Sequence, residues 1–423
     1  MCYLMCRMFC SANEMCTVWT MRNDEILDRM KKERFDLAIV DAIFHFKCIY
    51  LIPHRLQVPW ITYSDFVDPL TARLPWLPSF VPHRLLSYTE TMTFSQRLAN
   101  FVALVAFSKV LALAGFNPPA EVVDKYQLYG SFSHVDELAS QSQLWLLAKD
   151  SVLDYPRPMM PNAVEVGGLT VRSPTGELPP DIKKFIEGAE NGVVLMTFGT
   201  IAFSYPVVIA EKFLSAFRRL DGYRVIWRMK NTDALDIPDN VMIAQWLPQN
   251  DILAHLSAKL FITHCGNNGQ YEAVYHGVPM IGFPLGGDQI YNAKRLDHKG
   301  YGLSMDLYDF TVDQLLDNIH TLLRDKSYKE RVMKASEIFR SQAQSPVERA
   351  TFWIEHVCRF GGDHLRSAGN DLPLYSYLML DVLAFCLVVL HVLIFLLYRL
   401  TRCVLRKCFR QRKLTAEVTK KLN

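Results

Sequence analysis

The sequence predicts an α/β protein: two domains of alternating strands and helices on parallel sheets, then one C-terminal transmembrane helix. Three observations carry this. Short apolar runs end in glycine-bearing turns and lead into helical segments, as at Gly192–Phe198 and Lys259–Thr263. The 423 residues exceed one typical domain, and 50% of them are hydrophobic, enough for two cores. Tyr375–Tyr398 is an apolar run long enough to span a bilayer, followed directly by basic residues.

The chain's net charge of +3 is small and its positive charge is gathered at the C-terminus, which argues against a nucleic-acid surface. Ten cysteines are present, but their spacing gives neither CxxC pairs nor histidine-joined clusters. Neither a zinc site nor a disulfide framework is expected. Residues 1–20 lack the long apolar run of a secretory signal, although the C-terminal anchor requires a translocated body. The chain is therefore read as one that lacks its beginning.

In order, residues 24–40 read as an amphipathic helix running into the strand Asp36–Val40, which Asp41 ends at the edge where α/β proteins place ligand groups. A helix N-cap is the bland alternative for Asp41. Residues 51–100 are proline-rich loops around a short strand, Trp60–Tyr63. Phe101–Phe116 is an apolar run too short to span a bilayer, read as a buried or membrane-resting helix. Leu144–Leu147 is a buried strand, and Pro174–Pro180 opens the second domain. There Gly192–Phe198 is a strand, Gly199-Thr200 its turn, 206–220 a helix and Arg224–Arg228 the next strand. Residues 311–359 are helical and charged.

The densest chemistry lies between Trp246 and Gln289. A buried strand, Lys259–Thr263, meets the turn His264–Gly269, and a helix is expected over Gln270–His276. Free N–H groups and the helix dipole at such an N-terminus suit a phosphate. His264 is placed to donate to that phosphate. Glu272, one turn into the helix, suits ribose hydroxyls. Trp246 offers a flat face for a base, and Gln249 has both a donor and an acceptor. Asp288-Gln289 follows the strand Met280–Pro284 and suits sugar hydroxyls.

The pieces WLPQND, ITHCGNNG, YEA, HGVPMIGFP and DQ together resemble the signature of the UDP-glycosyltransferases, and closely that of the animal UDP-glucuronosyltransferases. Cys265 departs from the glycine common in the family. The resemblance implies the GT-B architecture, two facing Rossmann-like domains. It implies donor-binding roles for Thr200, Arg228, Trp246, Gln249, His264, Gly266, Asn268, Gly269, Glu272, Asp288 and Gln289. It implies that glucuronic acid or glucose passes from a UDP-sugar to a small lipophilic acceptor, with inversion and without a metal; no cofactor is implied beyond the UDP-sugar co-substrate. FDLAIVDA looks like the segment whose last aspartate, Asp41, orients a catalytic histidine. The first histidine of this chain is His45, downstream of Asp41. A catalytically silent UDP-sugar-binding regulatory subunit is the alternative reading, and oligomers with itself or with relatives are left open.

The expected division is 1–163 for a partial acceptor-binding domain, 164–370 for the UDP-sugar domain, 375–398 for the membrane helix and 399–423 for a basic tail. Basic residues from Arg399 to Lys413 place that tail in the cytoplasm by the positive-inside rule and the body in the lumen. The final Lys420-Lys421-Leu422-Asn423 reads as an endoplasmic-reticulum retrieval address.

Overall fold

Apolar runs too short for helices form the two sheets. The structure is a computed structural model that describes residues 24–41, 47–65, 67–75, 77–113, 135–199, 206–230, 232 and 234–422. It divides into two units between Arg366 and Ser367.

In the first unit, helix α1 (Asp24–Lys32) leads into β1 (Ala38–Asp41), and α2 (Leu51–Leu56) into β2 (Trp60–Ser64). Helix α3 (Phe94–Leu113) and α4 (Val135–Ser140) precede β3 (Leu144–Leu147), and β4 (Ala163–Glu165) closes a sheet of order β1-β2-β3-β4. Every pairing in it is parallel. The β1–β2 register sets Asp41 opposite Tyr63. Ile61, Leu144, Leu146 and Val166 form the core on one face.

The chain then builds a six-stranded sheet. Its elements are α5 (Pro180–Glu187), β5 (Gly192–Thr197), α6 (Val207–Phe217), β6 (Tyr223–Arg228), β7 (Val241–Ala244), α7 (Gln249–Ala254) and β8 (Ala258–Thr263). They continue with α8 (Asn267–Tyr275), β9 (Met280–Gly282), α9 (Gln289–Lys299) and β10 (Gly302–Ser304). The order is β10-β9-β8-β5-β6-β7, all parallel. Helices cover both faces, as a parallel sheet requires. Ile209, Phe213 and Phe217 of α6 and Leu315 and Ile319 of α10 (Val312–Arg324) bury one face; Tyr271, Leu296 and residues of α11 (Lys326–Arg340) bury the other. Helix α12 (Pro346–Phe360), held at its start by a Ser345/Glu348 capping box, returns to the first sheet through Ala350 and Val357.

Two expectations shift. The apolar helix expected over 101–116 begins at Phe94, and Phe94, Leu98, Phe101, Val102 and Val105 are exposed, so that face is not buried; residues 114–116 lie outside the described set. In the second unit the helix expected from Tyr375 is broken: α13 (Leu374–Tyr377) stops before Met379, whose φ is 53°, and α14 (Leu380–Leu422) continues through the basic tail. Within it, Leu380–Lys407 is long and apolar enough to cross a membrane.

Candidate functional site

Order in the large sheet reverses between β5 and β8. From β5 the chain steps outward to β6 and β7, then returns to β8 on the other side. In open α/β sheets the crevice at such a switch point, beyond the strands' C-terminal ends, is the ligand site. The two turns flanking it are Gly199 onward after β5 and His264–Gly266 after β8.

The imidazole of His264 sits between those turns. A Cβ on Gly266 would lie 2.4 Å from its Nε2, and one on Gly199 2.9 Å from its Nε2 and Cε1. Gly199 also has φ of +75°, a conformation that disfavours side chains. Both glycines are thus required by the ring. Its Nδ1 is buried and has no hydrogen-bond partner among the described residues. Burial pushes the imidazole pKa down to about 4, so it is neutral near pH 7 and donates through one N–H.

Helix α8 begins at Asn267, three residues earlier than its sequence suggests. Gly266 is its N-cap, so the free N–H groups belong to 267–269 rather than to 270–272. Asn268 is exposed there, and Gly269 lies inside the first turn, where a Cβ would meet the Gln249 amide and the Phe261 ring at 3.4 Å. Cys265 occupies the left-handed region at φ 63°, where the family's common glycine would be unstrained. Its thiol is fully buried against Gly282, and burial raises its pKa.

Gln249 and Glu272, far apart in sequence, meet: the Gln249 amide donates to the Glu272 carboxylate at 2.5 Å. Burial raises the Glu272 pKa and that hydrogen bond opposes it. Trp246, 69% exposed, stands just before α7 with a free indole face. Arg228 spends its donors on the backbone, Nη1 on Gly199 O at 2.8 Å and Nε on Gln245 O at 3.0 Å. It ties the turn after β5 to the segment bearing Trp246. Thr200 lies outside the described residues.

Asp288 caps α9. Asn292 donates to its Oδ2 at 2.6 Å, and Leu285 N donates to Gln289 Oε1 at 2.8 Å. Both side chains are thereby oriented, each with one polar atom left over among the described residues.

Asp41 is exposed at the end of β1, where partial desolvation and the nearby Asp65 raise its pKa. Asp65 follows β2 at the same edge, pairs with Arg84 at 2.8 Å and lies within the field of Asp288. The first sheet's edge therefore faces the Asp288 end of the crevice. The sequence reading passed over Asp65, although its place directly after a strand is the signal that singled out Asp41. It also passed over Arg295. Fully buried, Arg295 bonds Asp154 at 2.8 Å, Gln270 at 2.9 Å and Asn267 at 2.5 Å. Asn267 Nδ2 in turn donates to Ala148 O at 2.9 Å. This network seats the start of α8 against the end of β3.

The family model for UDP-glucoronosyl and UDP-glucosyl transferase matches residues 2–415. The chain belongs to this family. It is 32% identical over 397 residues to UDP-glucuronosyltransferase 1-2 of Rattus norvegicus, spanning 92% of this chain and 73% of that one. It is 33% identical over 399 residues to a UDP-glucuronosyltransferase of Pleuronectes platessa, spanning 92% and 83%. Among solved structures, the glycosyltransferase VinC in complex with dTDP superposes with a TM-score of 0.55 at 16% identity, over 83% of this chain and 79% of that one. UDP-glucose: anthocyanidin 3-O-glucosyltransferase in complex with UDP does so at 0.52 and 18%, over 79% and 78%. These superpositions establish the GT-B fold.

Proposed function

We propose that the protein moves glucuronic acid or glucose from a UDP-sugar to a small lipophilic acceptor in one inverting displacement that needs no metal. The carrying observation is His264, a neutral imidazole with a buried unpartnered nitrogen, seated between two glycines at the head of α8. The diphosphate lies on the α8 N-terminus and accepts from His264, which offsets charge on the departing UDP. Uracil stacks on Trp246 beside Gln249, Glu272 accepts from the ribose, and Asp288 with Gln289 accepts and donates at the sugar hydroxyls. Arg228, which holds the β5 turn through Nε and Nη1, keeps its part as a nucleotide contact.

Asp41 and Asp65 flank the acceptor side. The family resemblance gives Asp41 the role of orienting a histidine base; His45, the first histidine of this chain, lies outside the described residues. A positioned base contributes about 10²–10⁴-fold.

The lipid bilayer holds Leu380–Lys407, with the body lumenal in the endoplasmic reticulum and the basic tail cytoplasmic. The test is transfer from UDP-glucuronate and UDP-glucose to a panel of phenols by the full chain in detergent, with and without EDTA. The expected product is the β-anomer, formed equally with EDTA. Tight UDP binding with no transfer from either donor would instead identify a silent UDP-sugar-binding subunit.

A further inference from the structure

Helix α12 ends in a sharp reversal. Gly361 is its C-cap, at φ 71° and ψ 175°, and its N–H donates to Val357 O at 2.9 Å. The positive φ disfavours side chains and turns the chain back, so the 3-10 turn Asp363–Leu365 returns to the end of the helix. There His356 Nε2 and His364 Nε2 stand 3.0 Å apart on the surface.

Both rings are held in place. His356 stacks on Phe352 with centroids 6.0 Å apart, meets Trp353 edge-on at 5.3 Å and lies tilted on Phe360 at 5.1 Å. His364 is held by its turn. Gly362 N donates to Gln143 Oε1 at 2.7 Å, and a Cβ on Gly362 would lie 2.5 Å from Gln143 O, so the turn is pressed onto the residue before β3. Ligand groups set on such a frame lose little freedom when they bind.

Two neutral imidazoles at this distance share one proton, one Nε2 donating and the other accepting. With that proton moved to Nδ1, both Nε2 atoms offer lone pairs to one point. An ion about 2.05 Å from each nitrogen would see them at about 94°. That is the cis angle of a square-planar or tetragonal ion; a tetrahedral one would need the nitrogens about 3.3 Å apart. Imidazole suits copper, nickel and zinc, and divalent copper leads the order of affinities.

We infer that His356 and His364 form a two-histidine site for a divalent transition ion of tetragonal preference, copper ahead of nickel. Among the described residues no third His, Cys, Asp or Glu completes the set, so water fills the remaining positions. The ion clips the end of α12 to the turn after it, the last stretch of the first unit before its division from the second at Arg366 and Ser367. Neither histidine belongs to Trp246–Gln289, and the inference does not rest on the transfer proposed above.

The experiment uses the untagged full chain in detergent, stripped with EDTA and dialysed. Calorimetry follows titration with copper(II), nickel(II) and magnesium chlorides; nickel repeats the copper test with an ion that thiols do not reduce. One copper per chain is expected, with nickel weaker and magnesium unbound, and either transition ion should slow hydrogen exchange in the peptide covering 356–366. His356→Gln and His364→Gln should each weaken copper and nickel about tenfold or more and remove that protection, while UDP affinity stays unchanged. Binding that survives both variants undiminished would overturn the inference, because the ions would then sit on other histidines or cysteines. So would binding that leaves exchange over 356–366 unaltered, or equal affinity for copper and magnesium.

Discussion

Replacing Gly266 by Ala tests the seat of His264. The backbone at Gly266 has φ −62° and ψ 141°, which any residue adopts, so the substitution acts through its methyl group. That methyl must retreat from 2.4 Å to beyond 3.0 Å of the imidazole Nε2, and the ring is already against the turn at Gly199 on its other side. The imidazole therefore leaves its position and its bond to the diphosphate is lost. A hydrogen bond to a charged acceptor contributes about 1.5–3 kcal/mol, or roughly ten- to a hundredfold in affinity. Gly266→Ala should weaken UDP binding by that factor, as should His264→Ala. In the double variant the methyl has no ring to strike, so its affinity should lie within about threefold of His264→Ala alone. The cost of alanine at an N-cap, about 1 kcal/mol of helix stability, is common to both backgrounds and cancels in the cycle. Calorimetric titration of UDP into the four proteins reads the result. Additive losses would refute the reasoning, because they would mean that Gly266 acts on UDP without acting through His264.

Other outcomes follow from the same geometry. Asp154 and Arg295 are paired at 1% and 0% exposure, so Asp154→Leu should cost about 3–5 kcal/mol, most of it recovered by adding Arg295→Met; denaturant midpoints decide this. Burial depresses the folded-state pKa of His264, His83 and His276 to about 4, below the unfolded value of about 6.5. The unfolded chain therefore binds more protons between those values. Stability is complete above about pH 6.5 and lost as pH falls toward 4, and His264→Asn should flatten that slope by up to about 1.4 kcal/mol per pH unit. An unchanged slope in urea titrations would contradict the burial argument. A Cβ on Gly282 would lie 2.3 Å from Cys265 Sγ, so Gly282→Ala should destabilise by about 1–3 kcal/mol and Cys265→Gly should restore the melting temperature.

What the sequence made legible depended on whether the signal was local. Leu144–Leu147 is a strand with the bounds read from its residues, because a fully buried apolar run flanked by polar turns has few alternatives. The pairing of strand, turn and helix around His264 was legible for the same reason. The start of α8 was not. Asn267-Asn268-Gly269 has the composition of a turn, yet Asn267 is held by Ala148 O and Arg295, 119 and 28 residues away in sequence. Tertiary bonds override turn propensity there. Arg228 was rightly placed at a strand end, but its partners, the carbonyls of Gly199 and Gln245, come from turns that only the sheet order brings together. Arg84, Lys149 and Asp154 look like surface charges in a sequence, yet all three are buried. Their burial follows from how the loops of the first sheet pack against α9, which no periodicity encodes.

The account rests on Trp246–Gln289 holding the UDP moiety. Photolabelling the full chain in detergent with 5-azido-UDP, then mapping the adduct by peptide mass spectrometry, tests this directly. The predicted adduct falls on the peptide containing Trp246 and Gln249, is displaced by unlabelled UDP and is weakened by His264→Ala. Saturable labelling elsewhere in the chain, untouched by His264→Ala, would contradict the donor site.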